Sequence, residues 1–168
     1  MVGLMVDLGR AVTVRGLNIN SVVETAGVLE GYTVDTMDIS EVGFRQFREP
    51  LALRDGHALG PIWKGGRTIS LTGTIYGATR GRALAKWNAL DALCYPTAGY
   101  IADPTTFGFE PVYFYEVLSP LVQRYIYARS NGLRVEWDRR WFGGNDSTPL
   151  AIPYALSFVA KDPLIYSV

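Results

Sequence analysis

The chain carries little sulfur and almost no imidazole: its 168 residues include one cysteine, three methionines and one histidine. A single cysteine, Cys94, excludes an intramolecular disulfide, so stability must come from an apolar core, to which neighbouring subunits could add. One His and one Cys put a zinc site of soft ligands out of reach, and an all-oxygen calcium site would need an acidic cluster. Excess charge is missing as well. Sixteen basic and sixteen acidic side chains cancel, which leaves no global pull towards nucleic acid or an anionic membrane. No run of about 18 apolar residues is present to span a bilayer as a helix. The first ten residues lack the charged flank and small-residue cleavage site of a signal peptide. These absences lead us to expect a soluble chain made in a cytoplasm, without membrane insertion.

Catalytic signatures are equally scarce. His57 follows Asp55-Gly56 in what reads as a surface turn rather than the seat of a general base. Ser70 and Ser157 lie inside strands and lack the Gly-x-Ser-x-Gly turn that presents a nucleophile. No Gly-x4-Gly-Lys-Ser/Thr motif occurs, and Gly65-Gly66-Arg67 precedes a strand, so no phosphate cradle is implied. The carboxylate pairs Asp35/Asp38 and Glu136/Asp138 fit solvated strand positions better than a glycosidase pair. The expectation is a protein that is not an enzyme, with no catalytic residue, no metal and no cofactor.

What is present points to β structure. Eighteen Gly, nine Pro and 21 aromatic residues, with 48% hydrophobic residues overall, suit a turn-rich, mainly β fold with a sizeable core in one domain, 1–168. The basic set is biased, with thirteen Arg to three Lys, which suits bidentate contacts at buried interfaces.

The stretch from Arg67 to Pro96 organises the rest. Ile69, Leu71, Gly73 and Ile75 alternate with Ser70, Thr72, Thr74 and Tyr76, the period of a half-buried strand. Thr79 then caps a helix over about 79–94, with Leu84, Trp87, Leu90, Asp91 and Cys94 on one stripe and Pro96 as its stop. Arg67 and Asp91 are the two residues here that a core does not explain, and we expect both to satisfy polar partners.

Around this unit, residues 2–30 read as one or two short strands and Tyr32–Ile39 as a better one. Phe44, Arg45, Phe47 and Arg48 alternate irregularly and read as an exposed loop, followed by a short strand at 51–54, a tight turn at Asp55-Gly56 and a strand at 57–63. Residues 95–111 form a loop. Strands follow at 112–118, 121–130, 133–138 and 150–161. Ser130-Asn131-Gly132 is the sharpest turn signal in the sequence and predicts a β-hairpin over about 121–138, with Tyr125, Tyr127 and Arg129 on one face.

Arg139-Arg140-Trp141-Phe142 and the Phe44–Arg48 segment mix cations with aromatics. A single-stranded nucleic-acid groove has this composition, but the neutral overall charge argues against it. Trp63, Trp141 and Tyr100 would serve as a sugar platform if they shared one groove. Subunit contact comes first for Phe44, Arg45, Phe47, Arg48, Arg129, Arg139, Arg140, Trp141 and Phe142, because interface cores enrich Arg and large aromatics.

The order of pieces from Asp55 onward carries a resemblance. Asp55-Gly56, the strand opening Trp63-Lys64-Gly65-Gly66-Arg67-Thr68-Ile69-Ser70-Leu71-Thr72-Gly73-Thr74-Ile75, a helix with spaced Leu around Trp87, and a closing Phe158-Val159-Ala160-Lys161-Asp162-Pro163-Leu164-Ile165-Tyr166 resemble the distal tail proteins of long-tailed bacteriophages. That resemblance implies a structural virion protein whose ring-forming domain is a β-sandwich flanked by a helix and a β-hairpin. It further implies a hexameric ring that stacks on the tail tube protein and receives tail-tip hub or fibre proteins, with a tape-measure contact. DNA would pass through the lumen without sequence-specific binding. Gly65, Gly66, Arg67, Gly73, Trp87, Asp91, Asp162 and Pro163 take structural roles in this reading. Assembly in the host bacterial cytoplasm, residence in the virion tail, and no appended carbohydrate-binding domain are expected with it. Another tail-tube-like or tail-completion protein, and a glycan-binding module for host attachment, are the alternative readings.

Overall fold

The computed structural model describes residues 6–40, 44–50, 57–95, 108–117, 122–136, 147–160 and 164–168. In chain order its elements are β1 (Thr13–Val14), β2 (Leu17–Asn18), β3 (Ser21–Thr25), β4 (Val28–Ile39), β5 (Phe44–Pro50), β6 (His57–Lys64), β7 (Thr68–Gly77), α1 (Arg80–Ala92), β8 (Glu110–Glu116), β9 (Val122–Val135), β10 (Leu150–Ala160) and β11 (Tyr166–Ser167). The fold is mainly β with one helix among the described residues, as the composition and periodicity predict. Every strand pairing among the described residues is antiparallel.

Nine strands form one sheet in the order β2-β1-β8-β9-β10-β7-β4-β3, with β11 added on β9, while β5 and β6 pair separately. The two ends of this order, β2 and β3, are joined through Ile19 and Asn20 alone. A chain gains at most about 3.6 Å per residue, so the sheet must curl until its ends meet. One continuous sheet thereby encloses a core as two layers of a sandwich would. Asn20 clasps the seam: its Oδ1 accepts the Val34 N–H at 2.9 Å, and its Nδ2 donates to the carbonyls of Leu8 and Arg10, both at 2.7 Å.

The enclosed core follows the period-2 pattern. Ile69, Leu71 and Ile75 of β7 are buried with Ile152, Tyr154, Leu156 and Phe158 of β10, Val112 and Phe114 of β8, Ile126 of β9 and Val34 of β4. Gly73 is required among them. A Cβ there would stand 1.9 Å from the Thr33 carbonyl oxygen and 2.8 Å from the Tyr154 hydroxyl, which donates to that same carbonyl at 3.0 Å. Burial pushes the Tyr154 hydroxyl well above its ordinary pKa, so it stays a donor.

The helix closes one side of the curl. The Thr79 side chain caps it by accepting the Arg82 N–H at 3.3 Å, as predicted. Its buried residues are Ala83 and Leu90, and Trp87, Leu93 and Cys94 pack against the same core. The stripe therefore runs Ala83-Trp87-Leu90-Cys94, with Leu84 only half-buried at its edge. Ala83 occupies this place because β7 ends in Gly77, where a Cβ would meet the Ala83 backbone at 2.4 Å. Glu30 on β4 binds the other flank of the helix, 2.8 Å from Arg82 Nη1 and 3.3 Å from Lys86 Nζ. The helix has no basic residue in its last turn. Arg15, at the β1–β2 turn, supplies the missing cation, its Nη1 donating to the carbonyls of Leu93 (3.4 Å) and Tyr95 (3.3 Å).

Two elements depart from the sequence reading. The predicted hairpin over 121–138 is a single long strand, and Asn131 is the extra residue of a β-bulge. The β10 register steps from Ser157↔Gly132 to Phe158↔Ser130, with the Gly132 N–H donating to Ser130 Oγ. The first half of β9 pairs with β8 and the second with β10, so both halves are held in line and the Asn-Gly signal bends the strand instead of reversing it. Among the described residues, two-residue reversals with positive φ lie in the N-terminal third. Arg15-Gly16 (φ 49° and 78°) and Ala26-Gly27 (φ 51° and 79°) both have positive φ at the two central residues, the requirement of a type I′ turn.

Candidate assembly interface

The segment Phe44, Arg45, Phe47 and Arg48 is not a loop. It lies on β5, which pairs with β6 in the register Phe44↔Lys64, Arg45↔Trp63 and Arg48↔Leu59, with a bulge between Gln46 and Arg48. The extra residue is on β6, where Gly60 and Pro61 together stand opposite Phe47. His57 starts β6 opposite Pro50, and the Asp55-Gly56 turn and the strand expected at 51–54 fall outside the described residues. A two-stranded ribbon off the main sheet is marginal in water by itself, so this pair needs a surface to lie on. Arg139, Arg140, Trp141, Phe142, Asp162, Pro163 and Tyr100 also fall outside the described residues. Gly65 and Gly66 lead into β7, and the reason for Gly66 is close approach: a Cβ would stand 2.3 Å from the Ala160 carbonyl oxygen. Arg67 donates to the Ser40 carbonyl at 3.0 Å, so it has a partner within the chain. Asp91 is half-buried, and its carbonyl accepts the Cys94 N–H.

Arg129 lies on the outer face of β9, its guanidinium 5.3 Å from the Phe109 ring centre. On that face the structure gathers residues that sequence reasoning did not combine. Tyr125 stacks on Tyr166 at 5.2 Å and meets Tyr113 and Tyr127 at 5.5 Å each. The registers Tyr113↔Tyr125 and Tyr125↔Tyr166 bring three strands' tyrosines side by side, while Ile126 and Ala128 point inward and are buried. Tyr127 remains 43% exposed. The i, i+2 tyrosines of 113/115 and 125/127 were a signal that this face is aromatic. Their junction with Tyr166 depends on β11, which the sequence did not announce. Beneath them Arg124 pairs with Glu116 at 2.9 Å and bonds Ser167, pinning β11 to β9.

A second exposed apolar surface lies on the β3–β4 hairpin. All five β3 residues are exposed, with Val23 at 64%, Val22 at 37% and Leu29 on β4 at 36%. Both features are protein-contact chemistry. By contrast, the depressions on the outer face of β7, β9 and β10 are shallow. One of them, about 450 Å³, is lined by Asp35, Thr74, Arg134, Glu136 and Tyr154 among others. It brings together no nucleophile with a base, and the Cys94 thiol elsewhere is pushed up by burial, away from reactivity. Among the described residues no group of three or more His, Cys, Asp or Glu is placed to hold a metal. No described helix is long and apolar enough to cross a membrane.

No family model and no curated protein sequence matches this chain. A solved structure does: the Dit protein (gp 19.1) of phage SPP1, described as a paradigm of the hub adsorption apparatus in phages that infect Gram-positive bacteria. The two superpose with a TM-score of 0.58 at 15% identity, over 94% of this chain and 52% of the other. The chain thus spans about half the length of that protein, and what the two share is a Dit-like phage-tail fold.

Proposed function

We propose that this chain is a structural protein of a phage tail, forming the distal ring that joins the tail tube to the tail-tip hub. The observation that carries the reading is the fold correspondence over 94% of the chain. Distinct surfaces suited to protein contact support it: the tyrosine face, the apolar hairpin and the β5–β6 ribbon. In this reading the chain works by assembly and not by catalysis. Copies of the chain, six in a closed ring, would meet through heterologous contacts in which one patch of each subunit engages a different patch of the next. Tail tube protein above and hub or fibre proteins below would be its neighbours, and DNA would cross the lumen without being read.

An antibody raised against the chain tests the position in virions of the phage that encodes it. Label at one tail end is the expected result. Label along the whole tube would favour a tail-tube protein, and virions without label would remove the structural reading. The glycan-binding alternative predicts a saturable change of tryptophan fluorescence with host-envelope polysaccharide, and a scaffold ring predicts none.

A further inference from the structure

Around the curled sheet, whose ends β2 and β3 are joined by the chain, β9 lies four steps from β3 through β10, β7 and β4, and four through β8, β1 and β2. The tyrosine face, carried by β8, β9 and β11, and the apolar β3–β4 hairpin therefore sit on opposite sides of the protein. Each is unusual as a free surface. The hairpin exposes Val22 and Leu29 beside Glu24 on one face and Val23 on the other. The tyrosine face combines the residue types that dominate protein contact energies.

The arrangement of the rings narrows what the tyrosine face can hold. Tyr125 and Tyr166 stack at an interplanar angle of 20°, and Tyr127 stands at 89° to Tyr125. Faces turned towards each other are not free to stack on a sugar or a nucleobase, so edges and hydroxyls meet the partner. Charge selects further. The hairpin Ser21–Gly31 holds no basic residue, and of its two acids Glu30 is taken by Arg82 and Lys86 while Glu24 stands on the face of Val22 and Leu29, whereas the tyrosine face is flanked by Arg129. Face against face in a two-fold pair would set Arg129 near its own copy. Hairpin against face sets acid against base.

We propose that the β3–β4 hairpin of one copy docks on the tyrosine face of the next, as the head-to-tail contact of the assembly. This rests on the ring reading above and names its partner surfaces. Opposed patches on one protomer propagate, and closure of the propagation makes a ring. In a two-fold dimer, both patches would instead be needed on the same side.

Complementation tests the contact. Val22→Glu, on the face of Leu29 and Glu24, spoils the hairpin and leaves the tyrosine face intact; Tyr127→Glu does the reverse. With circular dichroism melting as the folding control, light scattering should find each variant monomeric and their equimolar mixture dimeric. One good hairpin then sits on one good face, and both remaining ends are spoiled. A charge exchange keeps the test decisive if Tyr127→Glu melts early: Glu24→Arg and Arg129→Glu should each weaken assembly at least tenfold, and the double variant should restore it. Either patch variant assembling like the parent, a mixture that stays monomeric, or a charge exchange without rescue overturns the contact while a parent ring leaves the ring reading standing. A parent that never assembles removes both.

Discussion

Replacing Asn20 by Ala should open the seam of the curled sheet. Asn20 makes three hydrogen bonds to backbone groups of Val34, Leu8 and Arg10, and alanine leaves all three without their partner. At about 0.5–1.5 kcal/mol net for each bond, the loss is roughly 2–4 kcal/mol. A domain typically has about 5–15 kcal/mol to lose, so this is a large share. Urea unfolding followed by tryptophan fluorescence reads the loss as a lower midpoint at unchanged slope. Amide exchange localises it, because the Val34 N–H should lose protection while core amides of β7 keep theirs relative to global unfolding. Asn20→Asp sharpens the test. Its carboxylate still accepts the Val34 N–H but faces two carbonyl oxygens, which raises its folded pKa above the unfolded one. Stability should therefore return as the pH falls and the protonated carboxyl donates again. An alanine variant within about 0.5 kcal/mol of the parent, within the range of ordinary surface changes, would refute the clasp.

The Ala26-Gly27 turn holds alanine at φ 51°, a region that costs an L-residue roughly 1–2 kcal/mol. Ala26→Asn supplies the pair preferred in type I′ turns and should stabilise by about 0.5–1 kcal/mol in thermal melts; destabilisation would contradict the turn assignment. Glu30 is held below the ordinary carboxyl value of 4.5 by its hydrogen bond to Arg82, with Lys86 assisting. A lowered folded pKa gives stability that is present above the unfolded value and lost as pH falls through the folded one. The melting temperature of the parent should exceed that of Glu30→Gln at neutral pH and converge with it in acid, and a gap independent of pH would count against this role.

Local chemistry was legible where it acts locally. Alternation placed Ile69, Leu71 and Ile75 in the core, and Thr79 announced the helix start through its own side chain. The helix stripe shifted from Leu84 to Ala83 because Gly77 admits the helix so closely, a tertiary fact. Turn chemistry misled in both directions. Asn131-Gly132 advertises a reversal, yet strands on either side of β9 hold it straight. Arg15-Gly16 and Ala26-Gly27 do reverse the chain although Arg and Ala signal nothing of the kind, and Arg15 is held in place by helix carbonyls 78 and 80 residues away in sequence. Closure of the sheet through Asn20 and the gathering of Tyr113, Tyr125 and Tyr166 depend on register between distant strands, which no single segment encodes. The tyrosine face emerged only with the pairing of β11.

Native mass spectrometry of the purified chain tests the central claim most directly, because an assembly reads as a multiple of the 18.5 kDa protomer. Head-to-tail closure predicts one dominant ring species, at about 111 kDa for six copies, with few open intermediates. A single 18.5 kDa species at every concentration, or a dimer that grows no further, would contradict it.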